Sequence, residues 1–229
     1  MSPADHPALS IILPTLNEAG RLAPVFHALG DPEGAEIIIA DGGSTDATCD
    51  MATAHGARVI VNPPGRGGQL AAGAGVATAP WLLFLHADTR LAVGWRTAVE
   101  NFTADLKNHH RAAVFQFRLD DEAPAARRLE KIVDWRTRTF GLPYGDQGLL
   151  ISRAFYDDLG GFRALPLMED IDMVRRIGGA RLTVLDSPAL TSAERYRRGG
   201  YILRPLRNLL CLALYFGGVS PRHLVRLYR

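Results

Sequence analysis

Four apolar runs, ALSIILP, AEIIIAD, ARVIVN and WLLFLHAD, fill the first 90 residues, and each is continuous rather than alternating with polar positions. A strand that is apolar on both faces must be covered on both, which describes a parallel sheet with helices above and below it. The segments between the runs read as those helices. AGRLAPVFHALGD predicts a helix from about Arg21 to Leu29, with Pro24 in its first turn and Gly30 at its end. Ser44 or Thr45 can cap a second helix that runs to about His55 and stops at Gly56. GGQLAAGAGVATA reads as a third, whose small side chains allow close approach to the sheet. The expected fold class is α/β with a mostly parallel central sheet.

Beyond residue 90 the pattern loosens. VGWRTAVENFTADLKNH, APAARRLEKIVDWRTRTFG, RAFYDDLGGF and EDIDMVRRIGG read as helices, the last with Ile171, Val174 and Ile177 facing inward; AAVFQFRL, QGLLISR and RLTVLD read as strands. No repeat or low-complexity linker interrupts the 229 residues, so one domain is expected. The net charge of +2 is too small to call for a nucleic-acid partner. The arginines are uneven, however: Arg195, Arg197, Arg198, Arg204, Arg207, Arg222, Arg226 and Arg229 crowd the last 35 residues. The run NLLCLALYFGGV among them is shorter than the roughly 20 residues a membrane span needs, yet long enough to lie in a bilayer interface. That region can equally be a solvated basic face, or pack on the domain or on a second subunit. Cys49 and Cys211 form no CxxC pair, and MSPADHPALS has no basic-then-apolar leader, so a cytoplasmic setting is expected, at the inner membrane face if the tail binds lipid.

In a parallel sheet the loops after the strands share one edge, where open α/β sheets keep their ligands. Asn17 and Glu18 follow the first run, Asp41 the second, and His86 and Asp88 the fourth, so their side chains should converge on one crevice. A lone Asp in such a place is commonly a turn former; the coincidence of three loops argues for a site.

Taken together, LSIILPTLNEAGRL, EIIIADGGSTDAT, LLFLHADTRL and GGFRALPLMEDIDMVRRI resemble the family 2 glycosyltransferases of the GT-A fold, in order and spacing, over about residues 9 to 185. GRGGQLAAGA and the tail are similar to a subgroup of small bacterial transferases named for arsenosugar biosynthesis or a selenodomain association. The resemblance implies a Rossmann-like sheet, with a nucleotide-binding half to about residue 90, an acceptor half to about 195 and a helical tail over 196–229. It also implies roles. Pro14, Thr15, Asn17 and Glu18 would meet the nucleotide, Glu18 through the ribose hydroxyls. Asp41 would read the base, typically uracil, with Gly43 and Gln69 nearby; Gly42 stands where many members carry a second Asp. Arg66 would approach the base or diphosphate, with Gly65, Gly67 and Gly68 letting the backbone come close.

His86, Ala87 and Asp88 occupy the family's Asp-x-Asp metal motif, with His86 in place of its first Asp. The implied cofactor is Mn²⁺ or Mg²⁺. Mg²⁺ needs only one or two carboxylates besides phosphate oxygens, whereas an imidazole ligand suits Mn²⁺ better; His86 can also simply hydrogen-bond backbone or ribose. Asp170, beside Glu169, corresponds to the general base of an inverting transfer, and Asp146 and Gln147 are placed to meet donor sugar or acceptor. Trp135 and Tyr144 can stack on a sugar or belong to the core, and Arg195 or Arg198 can reach the diphosphate, although Glu194 disturbs the usual arginine pair. The implied partners are a nucleoside-diphosphate sugar, most often of UDP, and an acceptor the sequence does not identify. Two other readings stay open. A nucleotidyltransferase would carry a Gly-rich first loop and a downstream lysine, and LPTLNEAGRL has one Gly and no Lys. A non-catalytic nucleotide-binding protein would account for His86 and Gly42.

Overall fold

The four apolar runs lie side by side in one sheet. In this computed structural model, which describes residues 7–31 and 33–228, they are β1 (Leu9–Thr15), β2 (Ala35–Asp41), β3 (Arg58–Val61) and β4 (Trp81–Phe84). The start of the leader reading, residues 1–6, and Arg229 fall outside the described residues. The remaining strands are β5 (Thr89–Leu91), β6 (Ala112–Leu119), β7 (Leu149–Ser152) and β8 (Leu182–Thr191), and the sheet order is β3-β2-β1-β4-β7-β6-β8-β5. β1 to β4 pair in parallel, as expected. β7 then runs antiparallel to β4 and β6, β8 parallel to β6, and β5 antiparallel to β8. The continuous apolar pattern is explained by two cores. Ile11 and Leu13 point to the face covered by α1 (Ala19–Leu29), α2 (Thr48–Ala54) and α4 (Trp95–Ala104). Ile12 points to the face of α3 (Arg66–Val76), α6 (Arg153–Asp158) and α7 (Glu169–Ile177). Each such buried side chain is worth about 1.5–3 kcal/mol. β3 departs from expectation: it is one edge of the sheet, and Val61 is exposed.

α3 packs as closely as its composition allows. A Cβ at Gly73 would fall 2.5 Å from Ile12 Cγ2, and one at Gly67 only 2.2 Å from the Arg163 carbonyl oxygen. Gly67 therefore serves helix packing, while Gly68 has open space beside it. α1 begins two residues earlier than its sequence suggests, which leaves Pro24 inside the helix. Ser44 and Thr45 do not cap α2, because Asp41 and Asn17 engage them instead. α4 stops at Asp105, whose carboxylate accepts a bond from the Lys107 amide and starts a separate 3₁₀ turn.

β5 has no counterpart in the sequence reading. Its pairing with β8, Thr89 opposite Thr191, sets Asp88 beside Ser192, whose amide donates to the Asp88 carbonyl at 3.2 Å. The chain continues through α5 (Pro124–Phe140) between β6 and β7, and ends in α8 (Glu194–Gly199), α9 (Leu203–Phe216) and α10 (Pro221–Tyr228). Ile171, Val174 and Ile177 of α7 are buried, as their spacing requires.

Candidate active site

The loops after β1 and β2 are tied to one another before any ligand arrives. Asn17 adopts a left-handed conformation (φ 56°), which lets its side-chain oxygen accept the Thr45 amide at 2.9 Å while its own amide donates to Ser44 Oγ at 2.8 Å. Asp41 is 1% exposed. Its carboxylate accepts from Thr15 Oγ1 at 2.9 Å, from the amides of Gly43 and Ser44 at 2.8 and 2.6 Å, and from the Ser44 hydroxyl. Burial opposes its charge, but these donors outweigh burial and hold its pKa below the usual value. Asn17, Asp41 and Gly43 thus brace the loops, and none of them lines the two clefts described next. Gln69 completes the brace: its amide donates to the carbonyls of Thr15 and Ala40 at 2.8 and 2.7 Å, and its oxygen accepts the Gly65 amide at 3.2 Å. A Cβ at Gly42 would come within 3.2 Å of the Gln69 amide, so a second aspartate there would require Gln69 to give way by a few tenths of an ångström.

Two clefts meet at the carboxyl edge of the sheet. One is lined by Pro14, Thr15, Glu18, Gly65, Gln69 and Ala87, and measures about 1100 Å³ including its open mouth. The other is lined by Tyr144, Asp146, Asp170, Thr191, Arg204 and Asn208, among others. Arg66, His86, Asp88, Glu169 and Arg195 border both. Glu18 faces the first cleft while bonded to Arg21 at 2.8 Å; Arg21 reaches across to Glu194 at 3.0 Å.

The first turn of α7 assigns a different partner to each of its acids. Met168, left-handed at φ 64°, turns the chain into the helix, at a cost of order 1 kcal/mol. Glu169 is 1% exposed and pairs with Arg66 at 3.3 Å; burial raises its pKa against the pull of Arg66. Asp172 is structural, held by Arg176 at 2.7 Å and Arg163 at 3.0 Å. Asp170 faces the cleft, with Oδ2 accepting the Gly145 amide at 2.8 Å. Gly145 also lies against His86, where an added Cβ would sit 2.6 Å from Nε2. Burial first, then Arg66, lowers the His86 pKa to about 4 against the opposing influence of Asp88 and Asp170, so the ring is neutral at pH 7.

Asp146 borders the second cleft, and its Oδ1 is buried with no hydrogen-bond partner. Burial, reinforced by Asp170 and Asp88 and opposed by Arg136, raises its pKa to about 7. Gln147 does not reach the cleft. It is 1% exposed, accepting from Thr137 Oγ1 and donating to the Phe115 carbonyl at 3.0 Å each, and so pins its loop to α5 and β6. Trp135 is neither core nor cleft: it is exposed on α5, edge-on to Phe140. Tyr144 does line the cleft, under the Arg136 guanidinium at 3.6 Å from its ring centre. Of the two candidate arginines, Arg195 reaches the site, 3.9 Å from Asp88, while Arg198 turns to Glu194 at 2.6 Å. Arg204 and Asn208 were not anticipated from the sequence; Asn208 Oδ1 is likewise buried without a partner.

No group of three or more His, Cys, Asp or Glu side chains among the described residues comes together to hold a metal. The donor set at the junction, one carboxylate from Asp88 with the neutral imidazole of His86 near it, suits a divalent cation that takes its other oxygens from phosphate. Among the described residues no helix is long and apolar enough to cross a membrane.

Residues 10–156 match the family Glycosyl transferase family 2. Glycosyltransferase AglJ of Haloferax volcanii is 30% identical over 170 residues, covering 72% of this chain and 52% of that protein. S. aureus TarS 1-349 in complex with UDP is similar with a TM-score of 0.62 at 16% identity, over 96% of this chain and 69% of that one. Glucosyl-3-phosphoglycerate synthase from Mycobacterium tuberculosis, in complex with Mn²⁺, UDP and glucosyl-3-phosphoglycerate, gives a TM-score of 0.58 at 19% identity, over 89% and 79%. The chain spans about two fifths to one half of the length of the curated relatives it matches. Its fold is the GT-A fold of these structural neighbours. With most of its length inside the family match, the chain belongs to glycosyl transferase family 2.

Proposed function

We propose that this chain is an inverting glycosyltransferase that moves a sugar from a nucleoside-diphosphate sugar, with UDP as the nucleotide, to an acceptor hydroxyl. The observation that carries the reading is the shared border of the two clefts. Two arginines, a neutral imidazole and Asp88 stand between a loop-lined cleft and one that holds Asp170. The UDP bound by TarS and the UDP and Mn²⁺ bound by glucosyl-3-phosphoglycerate synthase support the choice of nucleotide and cation. The subgroup resemblance, carried by GRGGQLAAGA and the C-terminal helices, remains part of this proposal.

The nucleotide lies along Pro14, Thr15, Gln69 and Ala87, with Glu18 accepting from ribose hydroxyls. Arg66 and Arg195 face the diphosphate; Glu169 holds Arg66 in place. A Mn²⁺ or Mg²⁺ ion held by Asp88, with His86 beside it, would neutralise charge that builds on the departing diphosphate. The donor sugar extends past the junction toward Asp146 and Tyr144. Asp170 accepts the proton of the acceptor hydroxyl as its oxygen bonds to the anomeric carbon from the opposite side. The bond to the diphosphate oxygen breaks, and the electron pair leaves with the nucleotide. Base assistance of this kind contributes about 10²–10⁴ in rate.

A thermal-shift screen of nucleoside diphosphates and their sugars, with and without Mn²⁺, tests the reading. UDP or a UDP-sugar with Mn²⁺ should raise the melting temperature, and the matching donor should release UDP on turnover. Release of pyrophosphate from a nucleoside triphosphate would instead make the chain a nucleotidyltransferase, and binding without turnover of any donor would make it a non-catalytic binder.

A further inference from the structure

α9 is apolar on its exposed face as well as its buried one. Its exposed residues, Leu203, Leu206, Leu209, Leu210, Ala213 and Phe216, are all apolar, and Ile202 extends the stripe by one position. Its cleft-facing positions are polar: Arg204 and Asn208 line the second cleft, while Cys211 and Leu212 pack on Met168 and Ile171. A surface helix ordinarily presents a polar outer face, and a contiguous exposed apolar stripe marks a contact surface.

The helices on either side are basic. α8 exposes Arg197 and Arg198, the former 3.6 Å from Asp121, and α10 exposes Arg222, His223 and Arg226; Arg195 turns instead to Asp88 at the clefts. From Ala193 to Tyr228 the sequence carries seven arginines and a single acid, Glu194. A second copy docked on the same stripe would bring two like-charged rims together. An anionic bilayer instead offers an apolar layer for the leucines and negative headgroups for the arginines.

We propose that α9 lies in the interface of a membrane containing anionic lipids, with its leucine stripe among the acyl chains and α8 and α10 at the headgroups. Because Arg204 and Asn208 belong to the same helix, the second cleft then opens at headgroup level. An acceptor carried by the bilayer would reach Asp170 there; this consequence rests on the glycosyltransferase reading, whereas the membrane contact does not.

Flotation with phosphatidylcholine vesicles, with and without phosphatidylglycerol, tests it on the chain and on Leu206→Glu/Leu210→Glu. The wild type should float with the anionic vesicles at least tenfold more than with neutral ones, and lose this in high salt. The double variant should lose at least nine tenths of that flotation while keeping its melting temperature and its binding of UDP with Mn²⁺. Val93→Glu, exposed elsewhere, should change nothing. Where the double variant does not fold, Arg222→Glu/Arg226→Glu should weaken flotation in the same direction. Absence of flotation, flotation indifferent to both variants, or a dimer in sedimentation that the leucine substitutions split would overturn the proposal. Loss of UDP binding in the wild type would sink the glycosyltransferase reading and leave the membrane contact standing.

Discussion

The Gly145 amide donates to Asp170 Oδ2 at 2.8 Å, fastening the loop before β7 to the first turn of α7. The same glycine leaves room for the His86 ring, since a Cβ there would sit 2.6 Å from Nε2 and 3.5 Å from Asp170 Oδ2. Gly145 thus positions the proposed base and the residue next to the proposed cation together. Asp170→Asn should lower kcat by about 10²–10⁴ and leave UDP affinity unchanged. Gly145→Ala should destabilise the fold by about 1–3 kcal/mol through overpacking against His86, and lower kcat by shifting the loop that holds Asp170. Steady-state kinetics beside UDP titration checks both; retained turnover in Asp170→Asn removes that residue from its role.

Asp146 predicts a pH dependence of stability in the ligand-free protein. Its folded pKa is raised to about 7, chiefly by burial, above the roughly 3.9 of an unfolded Asp. Between these values the folded state keeps a proton that the unfolded chain releases. Stability therefore falls as pH rises through this window and levels off above it. Asp146→Asn removes the effect, so its melting temperature should gain on the wild type from pH 4 to pH 7. A constant difference across that range would contradict the assignment.

Gly42 and Gln69 should behave as a coupled pair. Gly42→Asp, which restores the family's second aspartate, would displace the Gln69 amide from the Thr15 and Ala40 carbonyls. Each of these hydrogen bonds, if lost, costs about 0.5–1.5 kcal/mol, since the Thr15 carbonyl keeps the Gly42 amide as a donor. Adding Gln69→Ala should recover part of that loss. A double-mutant cycle by urea denaturation measures the coupling, and strict additivity would count against it.

Arg195 and Arg198 should separate sharply. Arg195 borders both clefts, so Arg195→Ala should raise the donor KM at least tenfold. The Arg198 side chain is 81% exposed and pairs only with Glu194 among the described residues, so Arg198→Ala should leave the donor KM within about twofold, as for an ordinary surface ion pair.

The parallel half of the sheet was legible because its signals are local: continuous apolar runs closed by polar turns. Glu18, His86 and Asp88 could be placed at one rim for the same reason, while Arg66 and Asp170 were implied by the family resemblance. β5 was not legible, since three residues carry no pattern of their own and gain their pairing from a strand 102 positions later. Asp41 and Gln147 read as ligand-facing, yet spend their hydrogen bonds inside the protein. Their partners, Thr15 for one and Thr137 and Phe115 for the other, meet them only through the fold. Composition marked the C-terminal region as apolar and basic but could not say which face turns inward, so Arg204 and Asn208 went unseen.

Calorimetric titration of UDP into the wild type and Asp88→Ala, with Mn²⁺ and with EDTA, tests the central claim most directly. The junction of the two clefts predicts tight binding only to the wild type with Mn²⁺, weakened at least tenfold by either the substitution or the chelator. Binding indifferent to both would contradict it.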